Sequence, residues 1–277
     1  MNPITGHTAV YAVVGRPIGH SGSPALHNAW FQALGIDATY VALDVAPEDG
    51  ERLMNGLRLL NLAGVNFTVP HKQAVVPHLD VVSDDVRVLG AANTAVRRGN
   101  KWHGYNTDVQ GFINGFVASQ GTTLAGRDVV LLGAGGAALA VAKGLCDAGV
   151  EHIAVCNRTQ ARAADLADRL DQTSTTFSAH PLTDGGSVAT GRTLVVNALA
   201  GDGIDAAALI DPKVLGEGAV WCDLNYWMTS PPGWVACQRA GIPFVDGSAM
   251  LRHQAVLAFK HFTGKSPPPV PNRRPVE

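Results

Sequence analysis

Val129-Val130-Leu131-Leu132-Gly133-Ala134-Gly135-Gly136-Ala137-Ala138 is an apolar run of strand length that enters a glycine turn and continues into an alanine-rich stretch. That stretch, Ala137–Leu145, reads as a helix. In such a strand–turn–helix unit the first glycine permits a tight turn and the second lets a pyrophosphate approach the backbone. A small third residue, here Ala138, lets the helix lie close on the strand. The free amides at a helix N-terminus supply donors and positive potential for phosphate. A glycine string alone is also compatible with an ordinary turn. The flanking strand and helix favour dinucleotide binding.

Just downstream, His152–Cys156 reads as the next strand. An acid at the end of that strand suits the ribose hydroxyls of NAD, whereas an arginine suits a 2′-phosphate. This chain has Asn157, Arg158 and Thr159, followed by Arg162. A helix starting near Thr159 brings the two arginines, four apart, to one side. A solvated arginine pair at a helix start is the competing reading. The pattern predicts a preference for NADP over NAD.

Working outward, strands are expected at Leu194–Ala198, Val220–Leu224 and Pro243–Val245, and a last helix at Ser248–Phe262. Toward the N-terminus, Thr8–Gly15, Thr39–Val45 and Val65–Val69 read as strands. Pro24–Leu34, Glu48–Leu60 and Val109–Ser119 read as helices, with Ser23 as the cap of the first and Pro24 at its first position. Alternating strands and helices define an α/β protein. At 277 residues it suits two compact domains, or one large one. Ser266–Glu277 is rich in proline and ends in charge, and is expected to be an extended or disordered, flexible tail.

Composition narrows the function classes. A formal net charge of −2 makes no electrostatic case for nucleic acid or a membrane surface. No apolar stretch reaches the roughly 20 residues of a spanning helix, and the start lacks signal-peptide features. The four cysteines, Cys146, Cys156, Cys222 and Cys237, have no C-x-x-C spacing. Reduced thiols in a cytoplasmic protein are expected, with no metal site.

Four constellations lie outside the glycine turn. Ser21 and Ser23 sit between a strand and a helix, where hydroxyls can bond a carboxylate; a cap plus a turn serine is the plain alternative. Asn66 and Thr68 alternate with apolar neighbours and so share a strand face, with Lys72 just beyond. Asn93-Thr94 and Asn106-Thr107-Asp108 could be turns, and Asp108 could cap the next helix. Gln254 lies one turn after Met250 on a helix with an apolar face.

In order, Ser-x-Ser, Asn-x-Thr-x-Pro-x-Lys, Gly-x-x-Asn-Thr, Asn-Thr-Asp, the glycine turn, Asn-Arg-Thr and Met-Leu-x-x-Gln resemble the shikimate dehydrogenase family from about Tyr11 to Gly264. The resemblance implies a substrate domain over 1–108 completed by 247–265, a Rossmann-like NADP domain over 109–246, and an active site in the cleft. It implies that Ser21 and Ser23 hold a carboxylate, that Asn66, Thr68, Asn93 and Gln254 bond hydroxyls, and that Tyr226 lies near the substrate. Lys72 and Asp108 would be the catalytic pair. Gly133, Ala134, Gly135, Gly136, Ala137, Asn157, Arg158, Thr159, Arg162 and Gly247 would hold NADP. His20 and His71 are read as wall or turn residues, because the lysine–aspartate pair already accounts for proton transfer.

The implied activity is reversible reduction of 3-dehydroshikimate to shikimate in aromatic amino-acid biosynthesis, by a monomer or homodimer. Two segments depart from the family pattern. Asn197-Ala198-Leu199-Ala200-Gly201-Asp202-Gly203-Ile204 lacks the threonine of Asn-Ala-Thr, and Trp227-Met228-Thr229-Ser230-Pro231-Pro232-Gly233 replaces Asn-Pro-x-x-Thr-Pro-Leu. They leave a quinate or aminoshikimate dehydrogenase open as a variant, and a non-catalytic NADP- or metabolite-binding regulator as the reading from another class. A methylene-tetrahydrofolate dehydrogenase-like enzyme is disfavoured by Ser-x-Ser and Met-Leu-x-x-Gln.

Overall fold

The structure, a computed structural model, describes residues 3–47, 49–199, 205–226 and 231–269. The altered positions 200–204 and 227–230, the helix start expected at Glu48, and 270–277 of the expected tail lie outside the described residues. The chain forms two compact units, Met1–Gly111 with Leu251–Glu277, and Phe112–Met250.

The first unit contains β1 (Ala9–Gly15), α1 (Ser23–Ala33), β2 (Ala38–Asp44), α2 (Gly50–Leu59), β3 (Gly64–Phe67), α3 (His71–Ala74), β4 (Val81–Val82), α4 (Asp84–Leu89), β5 (Thr94–Arg98) and β6 (Lys101–Tyr105). Its sheet runs β2-β1-β3-β5-β6-β4. β1, β2 and β3 are parallel, while β5 is antiparallel to both β3 and β6. Successive residues of β1 serve opposite faces. Ala12 and Val14 join a core with Leu53, Met54 and Leu57 of α2. Tyr11 and Val13 join another with Trp30 and Phe31 of α1 and with Phe259 and Phe262. A sheet covered on both faces needs such apolar strands.

The second unit follows through α5 (Asp108–Gln120), in which the border between the units falls. It contains β7 (Asp128–Leu132), α6 (Gly136–Asp147), β8 (His152–Asn157), α7 (Gln160–Asp168), β9 (Thr176–Pro181), α8 (Gly185–Ala189), β10 (Leu194–Asn197), α9 (Ala206–Leu209), β11 (Val220–Asp223), α10 (Pro232–Ala240) and β12 (Phe244–Asp246). α11 (Gly247–Thr263) then returns the chain to the first unit at Leu251. The strands are all parallel in the order β12-β11-β10-β7-β8-β9. Counted from β7 this is 3-2-1-4-5-6 reversed, the Rossmann order, whose switch point lies between β7 and β10.

Three local expectations are corrected. Gly22, not Ser23, is the N-cap of α1, and no side chain caps that helix. Ser23 is instead the first residue of α1, and it is buried. β3 ends at Phe67, so Thr68 lies just past the strand, although its N–H still reaches the Val14 carbonyl at 2.9 Å. Asp108 is the first residue of α5 rather than the residue before it; its N–H donates to Asn106 Oδ1 at 3.0 Å and its carboxylate accepts from Lys72 and Asn93.

His27 is fully buried against Tyr40, with ring centroids 4.3 Å apart and planes 7° from parallel. Among the described residues neither ring nitrogen has a hydrogen-bond partner. Burial lowers its pKa from 6.5 to about 3. The unfolded chain therefore takes up a proton below 6.5 that the folded chain refuses, and stability falls with pH by about 1.4 kcal/mol per unit. That amounts to about 2 kcal/mol at about pH 5. His27→Phe keeps an aromatic ring in the core and removes this loss. Thermal melts at about pH 5 and 7.5 should give the variant a smaller acid-side drop than the parent. Equal drops would clear His27 of the effect.

Candidate active site

The polar residues of the first unit meet at one edge of its sheet because β5 runs backwards. Its start therefore lies at the same edge as the ends of β1 and β3. Asn66 near the end of β3 pairs in register with Val13 of β1 and with Thr94 of β5. Thr94 in turn pairs with Tyr105, at the end of β6 and just before Asn106-Thr107-Asp108.

Lys72 stands on the short α3, whose carbonyl at Lys72 accepts the Ala92 N–H at 2.8 Å and so ties α3 to the loop before β5. Lys72 Nζ donates to Asp108 Oδ2 at 2.6 Å, and the two side chains are only 19% and 8% exposed. A largely buried carboxylate needs every available donor. Asn93 Nδ2 supplies the second one, to Asp108 Oδ1 at 2.8 Å. Asn93 Oδ1 accepts the Thr107 N–H at 2.8 Å. Gln254 of α11 reaches the same group, its Oε1 3.3 Å from Thr107 Oγ1 and 3.5 Å from Asn93 Nδ2. The close approach of α11 depends on Gly111, where a Cβ would lie 2.6 Å from the Gln254 Cβ.

Lys72, Asp108, Asn93, Gln254 and Asn66 are thus joined by hydrogen bonds directly or through one residue. Ser21 Oγ accepts the Ser23 N–H at 3.3 Å, and beside Asn66 the Tyr40 hydroxyl lies 2.7 Å from Asn66 Oδ1. Thr68 is half-buried at the end of β3. Sequence reasoning missed Thr107, which lies inside a quoted motif, and Tyr40, whose strand offers no polar pattern to mark it. His71 is structural: it is buried, and its Nε2 lies 3.1 Å from the Val45 carbonyl. His20 is exposed in the loop after β1.

In the second unit the glycines divide by role. Gly133 follows β7 with φ +105°, and a Cβ there would lie 3.0 Å from the Ala198 carbonyl oxygen, so the fold itself requires it. Gly135 caps α6, and a Cβ on Gly135 or Gly136 would meet nothing within 4 Å. Nothing within the described residues demands glycine at these two positions; open backbone at a helix start suits the approach of a pyrophosphate. Ala134 and Ala137 flank that opening half-buried, while Ala138 is fully buried. At the end of β8, Asn157 Nδ2 bonds the Thr159 carbonyl at 2.9 Å and shapes the turn into α7, which Thr159 caps through its backbone. Arg158 and Arg162 are exposed and have no carboxylate partner among the described residues. Two unpaired cations beside a Rossmann glycine turn fit a 2′-phosphate.

Tyr226 lies three residues past β11, and burial raises its pKa. At Gly247 a Cβ would overlap the Leu224 carbonyl, so close backbone packing is one reason for glycine there. Asp223 joins the exits of β10 and β11: Asn197 Nδ2 donates to Oδ2 at 3.0 Å and Asn225 Nδ2 to Oδ1 at 2.7 Å. Asn197 Oδ1 also accepts the Leu199 N–H at 3.2 Å, at the start of the altered segment. All four cysteines are free, and no group of three metal-binding side chains occurs among the described residues. No described helix is long and apolar enough to cross a membrane.

A Rossmann unit with a cation pair after its second strand, accompanied by an α/β unit holding a buried lysine–carboxylate pair, defines a nicotinamide-dependent dehydrogenase. Comparison with known proteins narrows the class. Residues 13–95 match the shikimate dehydrogenase substrate binding domain, and residues 116–202 match the shikimate / quinate 5-dehydrogenase domain. The shikimate dehydrogenase (NADP(+)) of Geobacter metallireducens is 36% identical over 99% of this chain and 97% of its own. The crystal structure of shikimate dehydrogenase from Aquifex aeolicus superposes with a TM-score of 0.85 at 29% identity, covering 96% of each chain. The Thermus thermophilus enzyme in complex with NADP(H) and shikimate gives a TM-score of 0.81 at 32% identity, covering 94% of this chain and 95% of that one. The chain belongs to the shikimate dehydrogenase family.

Proposed function

We propose that this protein catalyses the reversible NADP-dependent reduction of 3-dehydroshikimate to shikimate, a step of aromatic amino-acid biosynthesis, in the cytoplasm. The observation that carries the reading is the 2.6 Å ion pair of Lys72 with Asp108, buried and braced by Asn93. NADPH, when bound, supplies the hydride. Lys72 has N–H bonds left over after serving Asp108, and one of them donates its proton to the ketone oxygen as negative charge grows there. Asp108 orients the ammonium and accepts from a ring hydroxyl. Ser21 and Ser23 hold the ring carboxylate, and Asn66, Thr68, Asn93 and Gln254 bond the hydroxyls. Tyr226 takes the substrate-contacting role that the family resemblance implies. Gly133, Ala134, Gly135, Gly136 and Ala137 receive the pyrophosphate, with Gly247 also assigned to the cofactor. Asn157, Arg158, Thr159 and Arg162 receive the adenosine 2′-phosphate.

The test crosses shikimate and quinate with NADP+ and NAD+ in an oxidation assay followed by the absorbance of the reduced nicotinamide. Preferred turnover of shikimate with NADP+ is expected. Turnover restricted to quinate with NAD+ overturns both assignments, and binding of both ligands without turnover favours a regulator.

A further inference from the structure

Tyr40 projects from β2 into the first unit's core, 2% exposed, with His27 stacked flat on its ring. Its hydroxyl lies 2.7 Å from Asn66 Oδ1. The Asn66 amide is held from both sides, its oxygen by the Tyr40 phenol and its nitrogen by two acceptors. Nδ2 is 3.1 Å from the Asn93 backbone carbonyl, a group that only accepts, and 2.8 Å from Thr94 Oγ1. The oxygen must therefore face Tyr40, and the phenol must donate. The same polarity runs on to the ion pair. Thr94 Oγ1 accepts from Asn66 and donates to Asn93 Oδ1 at 3.0 Å, and Asn93 Nδ2 donates to Asp108. Because Asp108 can only accept, its donors are fixed in direction as well. Burial pushes the Tyr40 pKa well above its ordinary value, which keeps the proton on the phenol.

Both Asn66 N–H bonds are consequently committed inside the protein, and one acceptor position on its oxygen is left. Resting on the function proposed above, we infer that Tyr40 is a positioning residue that sets substrate selectivity: it presents Asn66 to the ligand as a hydrogen-bond acceptor only, so the ring substituent meeting Asn66 must carry an O–H. A ketone, ether or fluorine at that point would place two acceptors face to face. A buried acceptor left without a donor costs about 1–3 kcal/mol, about 5- to 150-fold in affinity.

The experiment measures the dissociation constants of shikimate and of its three monofluoro analogues, in each of which one ring hydroxyl is replaced by fluorine. Parent protein and Tyr40→Phe are titrated side by side. In the parent, at least one analogue is expected to bind about 10-fold or more weaker than shikimate. In Tyr40→Phe, the Asn66 amide loses the donor that held it and can turn its N–H outward, so the ratio for that analogue should shrink by about 5-fold or more. A merely structural weakening would lower both affinities together and leave the ratio unchanged. Thr94→Val removes an acceptor from Asn66 and frees an N–H independently. It should also shrink the ratio, and it decides the matter if Tyr40→Phe does not fold. An unchanged ratio in the folded variants, or equal binding of all four ligands by the parent, overturns the inference. A parent protein that turns over shikimate while the ratio stays fixed sinks only this inference. A parent that binds none of the ligands sinks the proposed function itself.

Discussion

Replacing Lys72 with alanine is expected to lower kcat by about 100-fold or more while moving the KM for shikimate far less. The asymmetry follows from what the ammonium does in each state. A neutral ketone gains little from one more donor, but its oxygen becomes basic as hydride arrives at the carbon, and only then does the proton transfer count. In the proposed assignment, binding is spread over Ser21, Ser23, Asn66, Asn93 and Gln254, which keep their bonds in the variant. The loss of Lys72 also strips a donor from Asp108, a side chain only 8% exposed, and leaves it with Asn93 Nδ2. A folded variant, established by circular dichroism and melting, is therefore part of the measurement. Steady-state and single-turnover rates in both directions then read the chemical step. Turnover near that of the parent would exclude Lys72 as the proton donor and move attention to the hydroxyl of Tyr226.

The second unit is largely legible in the sequence, and the first is less so, for a physical reason. β7, β8, β10 and β11 are parallel strands buried on both faces, so each is a short apolar run with a turn signal at its end. Their observed bounds match expectation to within about one residue. β5 and β6 form an antiparallel hairpin whose ends carry Arg97, Arg98 and Lys101 around Gly99-Asn100, and their mixed burial hides the strand period. The sequence reads there as turns, although this hairpin carries Asn93 and Thr94 to the site. β9 escapes the sequence reading for a related reason: it is an edge strand without one buried residue and ends in Pro181.

At the site, the residues assigned to the ligand leave a trace as polar letters in apolar surroundings. The residues behind them do not. Tyr40 is one aromatic on an apolar strand, and its importance arises only when folding sets it beside Asn66, 26 positions away. Ser23 illustrates the opposite error. Its place before Pro24 suggests a helix cap, but Ser23 is already the first residue of α1 and is buried, and Gly22 takes the capping position.

Arg158→Ala is expected to cut the preference for NADP+ over NAD+, measured as the ratio of kcat/KM values, by roughly 10-fold and at most about 150-fold. A 2′-phosphate is the group that distinguishes the two cofactors, so a residue that binds it changes the ratio and leaves the NAD+ value nearly alone. Arg158 sits between Asn157, which ends β8, and Thr159, the N-cap of α7. Its charge is not neutralised by any carboxylate among the described residues, and neither is that of Arg162. Both side chains are exposed, so salt screens them and the lower part of the range is expected at physiological ionic strength. Removing both arginines should lower the ratio further, by less than the product of the single effects, because two cations on one phosphate share the same interaction. Raising the salt concentration should erode the parent's preference and barely touch the double variant. If the double variant still prefers NADP+ as strongly as the parent, the selectivity arises elsewhere and the pair is ordinary solvated surface.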